Sequence, residues 1–210
     1  MQTNLIFMKN LISSISVLSL LLLLISCAKV PQADVDAAKL SIEAAKKAGA
    51  DRYAPASFQT AAYALRSGLA QVEGQNAKFA LFRNYVAAKT TLTSVTTLSN
   101  KAVEETTIRK EALKTEVTDA IAELTATIAA DKELLAKAPK GKEGKLAIEA
   151  IGLEIRVIET VLTEVSAGLT NKENILTLSE KVKPAVKKAK AINTELTEVI
   201  AKTKWMRRLN

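Results

Sequence analysis

The sequence predicts an all-α protein: a short helix pair at the base of a long antiparallel, coiled-coil-like helical hairpin. Three observations predict it. Gly (7) and Pro (4) are sparse across 210 residues, which leaves too few turns for a many-stranded sandwich or barrel. Aliphatic residues recur by fours and threes, as in Ile151, Ile155, Ile158, Leu162, Val165 and Leu169, the spacing of a helical seam. The clearest break, from Ala138 through Pro139 and Gly141 to Gly144, separates two stretches of similar length, as a tip turn separates two arms.

Residues 1–26 stand apart from the fold. Leu11 to Ile25 is apolar, with a solid run at Leu20 to Leu24, and Lys9 is the only charge ahead of it. About 15 residues make ~22 Å of helix, short of a ~30 Å hydrocarbon core. The segment fits the apolar region of a signal peptide behind a positive start, and Met8 is the more natural initiation site. It ends Leu24, Ile25, Ser26, Cys27, which resembles the bacterial lipobox. The resemblance implies that the Cys27 thiol is acylated, that the chain is cut before it, and that the new amine is acylated too. Cys27 is the only cysteine in the chain, so no intramolecular disulfide is expected. Ala28, in the place where enteric bacteria use Asp to retain lipoproteins in the inner membrane, favours the outer membrane by the same resemblance. Residues 27–33 then form a lipidated tether.

Residues 34–74 hold the helix pair. Asp34 can cap a first helix with Val35, Ala38, Ile42 and Ala45 on one face. Gly49 stops it, residues 51–54 connect, and Pro55 suits the first turn of a second helix. That helix carries Phe58, Ala61, Ala62, Leu65 and Leu69 and ends near Gly74. Residues 75–137 then read as one outgoing arm. Leu81, Tyr85, Ala88, Leu92 and Val95, and later Leu113, Val117, Ile121, Leu124 and Ile128, lie along it. Thr90, Thr91, Thr93, Thr96 and Thr97 read as a solvated face.

Residues 138–145 form the tip turn, and residues 146–210 the returning arm with a basic tail. After Gly168 and Asn171 the register shifts; Leu178, Val182, Ala185, Ala189, Ile192, Leu196 and Val199 resume it. Pro184 should kink this arm or start a new helix. Each arm would span ~90 Å as a continuous helix. The apolar stripes can pair within one chain or between two copies.

Residues Gly49, Ala50, Tyr53, Ala54, Pro55 and Phe58, between two Ala-rich helices, resemble the pattern of a family of bacterial envelope lipoproteins without an assigned activity. Members occur alone or joined to an OmpA-like peptidoglycan-binding domain. The resemblance covers about Asp34 to Lys101 and implies no catalytic residue; no OmpA-like domain follows here. Read physically, Gly49, Tyr53, Pro55 and Phe58 make a structural corner between closely approaching helices.

The composition excludes several chemistries. With no His and one Cys, zinc, haem and iron–sulfur centres and His-dependent triads lack their ligands. No Gly-rich phosphate loop is present, and Glu104, Glu105, Glu111, Glu116, Asp119 and Glu123 read as salt-bridge partners on an exposed helix. No metal, no cofactor and no enzyme activity are expected. The formal charge of +8 falls to about +7 without Lys9 and points to anionic neighbours, though not to nucleic acid in an exported protein. Lys202, Lys204, Trp205, Arg207 and Arg208 make a basic amphipathic tail suited to an anionic membrane surface. If the hairpin closes, this tail returns to the base beside Cys27. Lys181, Lys183, Lys187, Lys188 and Lys190 read as a solvated helix face.

The expected protein is a membrane-anchored lipoprotein of the bacterial envelope, in the outer membrane and facing the periplasm, that tethers an envelope protein. The alternative is a periplasmic binding module, or a holdase-like protein, that grips anionic polymer or client chains through Lys-rich helices.

Overall fold

Helix fills the chain because apolar residues return every third or fourth position and few residues break the backbone. A computed structural model describes residues 29–138 and 142–209, the side chains of 142–144 and 203–209 excepted. The expected signal peptide, the lipobox residues Leu24, Ile25 and Ser26, the acylation site Cys27 and the centre of the tip turn lie outside the described residues. Among those described, the fold is all-α with no strand. The helices are α1 (Gln32–Ala48), the single turn α2 (Ala50–Tyr53), α3 (Pro55–Asn76), α4 (Val86–Lys137), α5 (Lys142–Thr170) and α6 (Ile175–Leu209). A short 3₁₀ turn, Ala80–Phe82, precedes α4.

The first corner forms as its residues predict. Gly49 ends α1 in the left-handed region at φ 92°, where a side chain would be strained, and Pro55 opens α3 at its first position. The expected connection 51–54 is itself mostly helical, as α2. Helix α1 starts earlier than expected: the Val35 N–H donates to the Pro31 carbonyl at 3.0 Å. Asp34 therefore lies in the first turn rather than at the cap, where its charge suits the helix dipole.

Two expectations about the arms are corrected. The outgoing arm is not helical from residue 75 onward: one helix ends at Asn76 and the next begins at Val86, after a nine-residue break. Arg83 donates to the carbonyls of Lys78 (3.0 Å) and Asn76 (2.9 Å), and the Asn84 Oδ1 accepts the Val86 N–H at 2.9 Å. These side chains satisfy backbone groups that would otherwise be lost when the helix stops. The returning arm is likewise not one helix. What reads as a register shift near Asn171 is a full turn: the Glu173 N–H donates to the Gly168 carbonyl at 2.9 Å, Lys172 takes φ 57°, and the Asn174 Oδ1 accepts the Leu176 N–H at 3.0 Å. Pro184 lies inside α6 without ending it. It and Glu180 are both exposed, so the Glu180 carbonyl that Pro184 leaves without a donor can meet water.

The chain divides into two compact units between Thr107 and Ile108, within α4. In the first, α1, α3 and the first part of α4 form a three-helix bundle. Gln71 bonds Thr91 and Ser57 bonds Glu105, so α3 runs against α4, while Val35 and Ala38 cluster with Leu92 and Val95, Ser41 meets Ser99 at 3.2 Å and Ala45 clusters with Ala102, so α1 runs with it. Its core joins Val35, Ala38 and Val72 to Tyr85, Ala88, Leu92 and Val95. A second cluster joins Ala45, Ala50 and Ala102, with Phe58 and Val103 packed against it. The helices meet closely. A Cβ on Gly68 would lie 2.9 Å from the Leu92 Cδ2, inside normal contact distance.

The second unit is also a three-helix bundle, of α4 from Ile108 onward, α5 and α6. Lys183 reaches Glu116 (3.0 Å) and Lys190 reaches Glu123 (2.5 Å), so α6 runs parallel to α4. Lys181–Glu164 (3.3 Å) and Lys188–Glu154 (3.1 Å) set α5 against α6. Val117, Leu124, Ile128, Ile155, Ile158, Val165, Leu178, Val182, Ile192 and Leu196 fill its core. The hairpin topology that would return the tail to the base is absent here. Because α6 runs with α4, its C-terminus lies at the end of this unit where α4 meets the 139–141 connection.

Candidate functional site

The motif residues expected at the corner come together. The Gly49 carbonyl accepts the N–H groups of Arg52 and Tyr53, both at 3.0 Å, and the Ala54 carbonyl accepts that of Phe58 at 3.0 Å. Phe58 covers the all-alanine cluster where α1, α3 and α4 approach. Gly49, Tyr53, Pro55 and Phe58 therefore lie together at the corner between α1 and α3. Of the basic tail, Lys202 is exposed on α6; Lys204, Trp205, Arg207 and Arg208 continue the same helix, with their side chains outside the described residues. The Lys181–Lys190 run is exposed, but it is not a free cationic face. Four of its five lysines hold carboxylates of the neighbouring helices.

Two features escape a reading of periodicity. The first is the break at residues 77–85. Leu81, expected in a helix seam, is 56% exposed, and Phe79 and Phe82 are 70% and 74% exposed. The two rings pack tilted against one another, 6.5 Å between centroids. The loop is firmly built underneath them. Besides the Arg83 bonds, the Asn84 N–H donates to the Gln75 Oε1 at 3.0 Å, and the buried Tyr85 hydroxyl donates to the Asn76 Oδ1 at 2.5 Å. Cations flank it at Lys78, Arg83 and Lys89, and no Asp or Glu occurs from Gly74 to Val103. The run Lys78, Phe79, Ala80, Leu81, Phe82, Arg83, with two of the chain's four Phe, is the signal that marks it.

The second feature lies in the second unit's core. Asp131 is wholly buried at a seam position, three residues past Ile128. Its Oδ1 accepts the Asn193 Nδ2–H at 2.8 Å, and its Oδ2 has no partner. Burial pushes its carboxyl above the usual aspartate range, and the Asn193 bond works against that push. A shallow groove between α4 and α6, lined by Ala126, Thr127, Ala130, Lys190, Asn193 and Thr194, opens beside it.

Glu116 shows the opposite shift. The Lys183 hydrogen bond, then its charge and Arg109, hold its carboxyl below the usual glutamate range despite some desolvation. Among the described residues no group of three or more His, Cys, Asp or Glu is placed to hold a metal ion. No described helix is long and apolar enough to cross a membrane.

Compared with protein-family models, with curated proteins and with solved structures, the chain matches none of them.

Proposed function

We propose that this chain is a non-catalytic lipoprotein of the bacterial envelope, held by acylated Cys27 in the outer membrane and facing the periplasm. Its two three-helix units serve as a helical interaction and tethering element. The observation that carries the reading is the position of the only cysteine: it closes an apolar, Leu-rich segment, directly behind Leu24, Ile25 and Ser26. Two or three acyl chains, each adding ~0.8 kcal/mol per buried CH₂, hold a protein durably where one holds it only marginally. The fold suits a scaffold, since its buried side chains form seams between helices and its polar groups largely pair with one another. The alternative of Lys-rich arms gripping an anionic polymer or client loses support, because Lys181, Lys183, Lys188 and Lys190 are engaged in ion pairs.

The test is mass spectrometry of the N-terminal peptide from membranes, beside fractionation of Cys27→Ser. A peptide starting at Cys27 and carrying thioether- and amide-linked acyl chains is expected, with the variant left unprocessed. An unmodified Cys27 in the processed chain refutes the reading.

A further inference from the structure

The first unit brings its aromatic loop and the start of the described chain to the same end. Helix α1 runs parallel to α4, with Ser41 against Ser99, so Gln32 lies level with the first turns of α4, just after the loop. Lys29 begins the described chain three residues before Gln32, and Cys27 precedes Lys29 by two more. Two residues reach at most ~7 Å. On the lipoprotein reading, the acyl chains therefore join the described chain at the loop's end of this bundle.

We propose that Phe79, Leu81 and Phe82 insert into the headgroup–acyl boundary of the bilayer leaflet that holds Cys27, as a second, non-covalent attachment. The proposal rests on the lipoprotein reading for the identity of that leaflet. The loop's construction supports it. Gln75, Arg83 and Asn84 satisfy the loop's backbone groups, yet three large apolar side chains are exposed on it. Lys78, Arg83 and Lys89 flank them in the chain, and the stretch from Gly74 to Val103 carries no acidic residue to oppose anionic headgroups. Aromatic rings at the interface with cations beside the headgroups is the arrangement such a surface favours. A bilayer accepts this exposed cluster without a shaped complement, and the anchor fixes it within reach. Two attachments at one end would orient the first unit on the membrane, where an acyl anchor alone leaves it free to swing.

The experiment uses the full acylated chain reconstituted in phosphatidylglycerol-rich vesicles. Phe82→Trp in a Trp205→Phe background gives a single indole at the loop. Quenching by brominated acyl chains, with protection from aqueous acrylamide, is expected; Phe79→Trp should report the same depth. Replacing the other two apolar residues, one at a time with Ser, should weaken bromolipid quenching several-fold. Acrylamide quenching alone, in protein that floats with the vesicles, overturns the proposal. So does burial that depends on protein concentration and not on vesicles, which would assign the cluster to a second copy. The mass of the Cys27 peptide, taken from the same sample, separates failure of the lipoprotein reading from failure of this one. Because Phe82 is 74% exposed, the substitutions leave the helical core intact, which circular dichroism checks.

Discussion

The two bundles share one helix and an up-down-up topology but are packed by different means. The first brings helices close over alanines and glycine: Ala38, Ala45, Ala50, Ala61 and Ala102 are buried, and Gly68 meets Leu92 directly. The second is filled mainly by Leu, Ile and Val, with Ala185 and Ala189 among them, and is flanked by ion pairs that cross between helices. Towards the end of its share of α4, the first unit buries Ser99, Ala102 and Thr106. Ser99 is bonded by Ser41, and the Thr106 hydroxyl donates to the Ala102 carbonyl at 2.7 Å. Close approach of small residues gains contact area through backbone proximity. A large-residue seam gains it through side-chain volume. Each is therefore sensitive to the opposite kind of substitution.

The largest expected effect is an exchange of the two strategies. Leu124→Ala should cost about 2–5 kcal/mol, because the fully buried site in the second unit would be left with a cavity. Ala45→Leu should cost about 1–3 kcal/mol, because the alanine cluster has no room for a larger group. Urea melts of both variants check this. A tolerated Ala45→Leu would mean that the first bundle is loosely packed and the comparison is wrong.

Asp131 comes next, as the one place where the second bundle's apolar seam is broken by a charge. Its carboxyl is held above its ordinary value of 3.8 by burial. The folded state therefore takes up the proton more readily than the unfolded chain. Stability falls as pH rises through the raised value and is regained on acidification towards 3.8. Asp131→Asn removes the buried charge and keeps an acceptor for Asn193. It should stabilise by about 1 kcal/mol at neutral pH, with the advantage shrinking as the wild type is acidified. Urea midpoints measured across that range decide the matter; a constant gap would mean that Asp131 does not titrate as its burial requires.

The smallest effect belongs to the ion pairs that flank the second seam. Glu116, with Lys183 and Arg109, has its carboxyl held below the ordinary 4.5. Its contribution is present above 4.5 and is lost as pH falls through the lowered value. Glu116→Gln should shift the urea midpoint only slightly, and concentrated salt should erase the difference, because these side chains are about half exposed. A large, salt-resistant loss would make the flanking pairs, rather than the seam, the main source of the second unit's stability.

Much of this was legible in the residues. Gly49 and Pro55 act on the backbone locally, so the first corner could be read from the chain alone. The seam from Ile151 to Leu169 was equally plain. Asp131 could have been found by extending the seam three residues past Ile128, although periodicity cannot show that its second oxygen is left without a partner. The break at 77–85 was not legible in periodicity; only the unusual run from Lys78 to Arg83 marks it. No Gly or Pro stands within it, and the helix is ended by long side chains folding back onto carbonyls several residues away. The same holds for the lysines of α6, whose spacing looks like a solvated face until the carboxylates of α4 and α5 are brought alongside.

The sequence by itself determined the all-α class, most of the residues that face inward, Leu81 and Val199 excepted, and the helix corner at Gly49 to Pro55. These follow from periodicity and local backbone preference, which act within a few residues. Only the tertiary structure decided that α6 runs parallel to α4, that the first unit's aromatic loop shares its end with the start of α1, and that Asp131 is enclosed. Those outcomes depend on which stripe meets which and in what register, and pairing over 60 or so positions leaves no trace in local spacing.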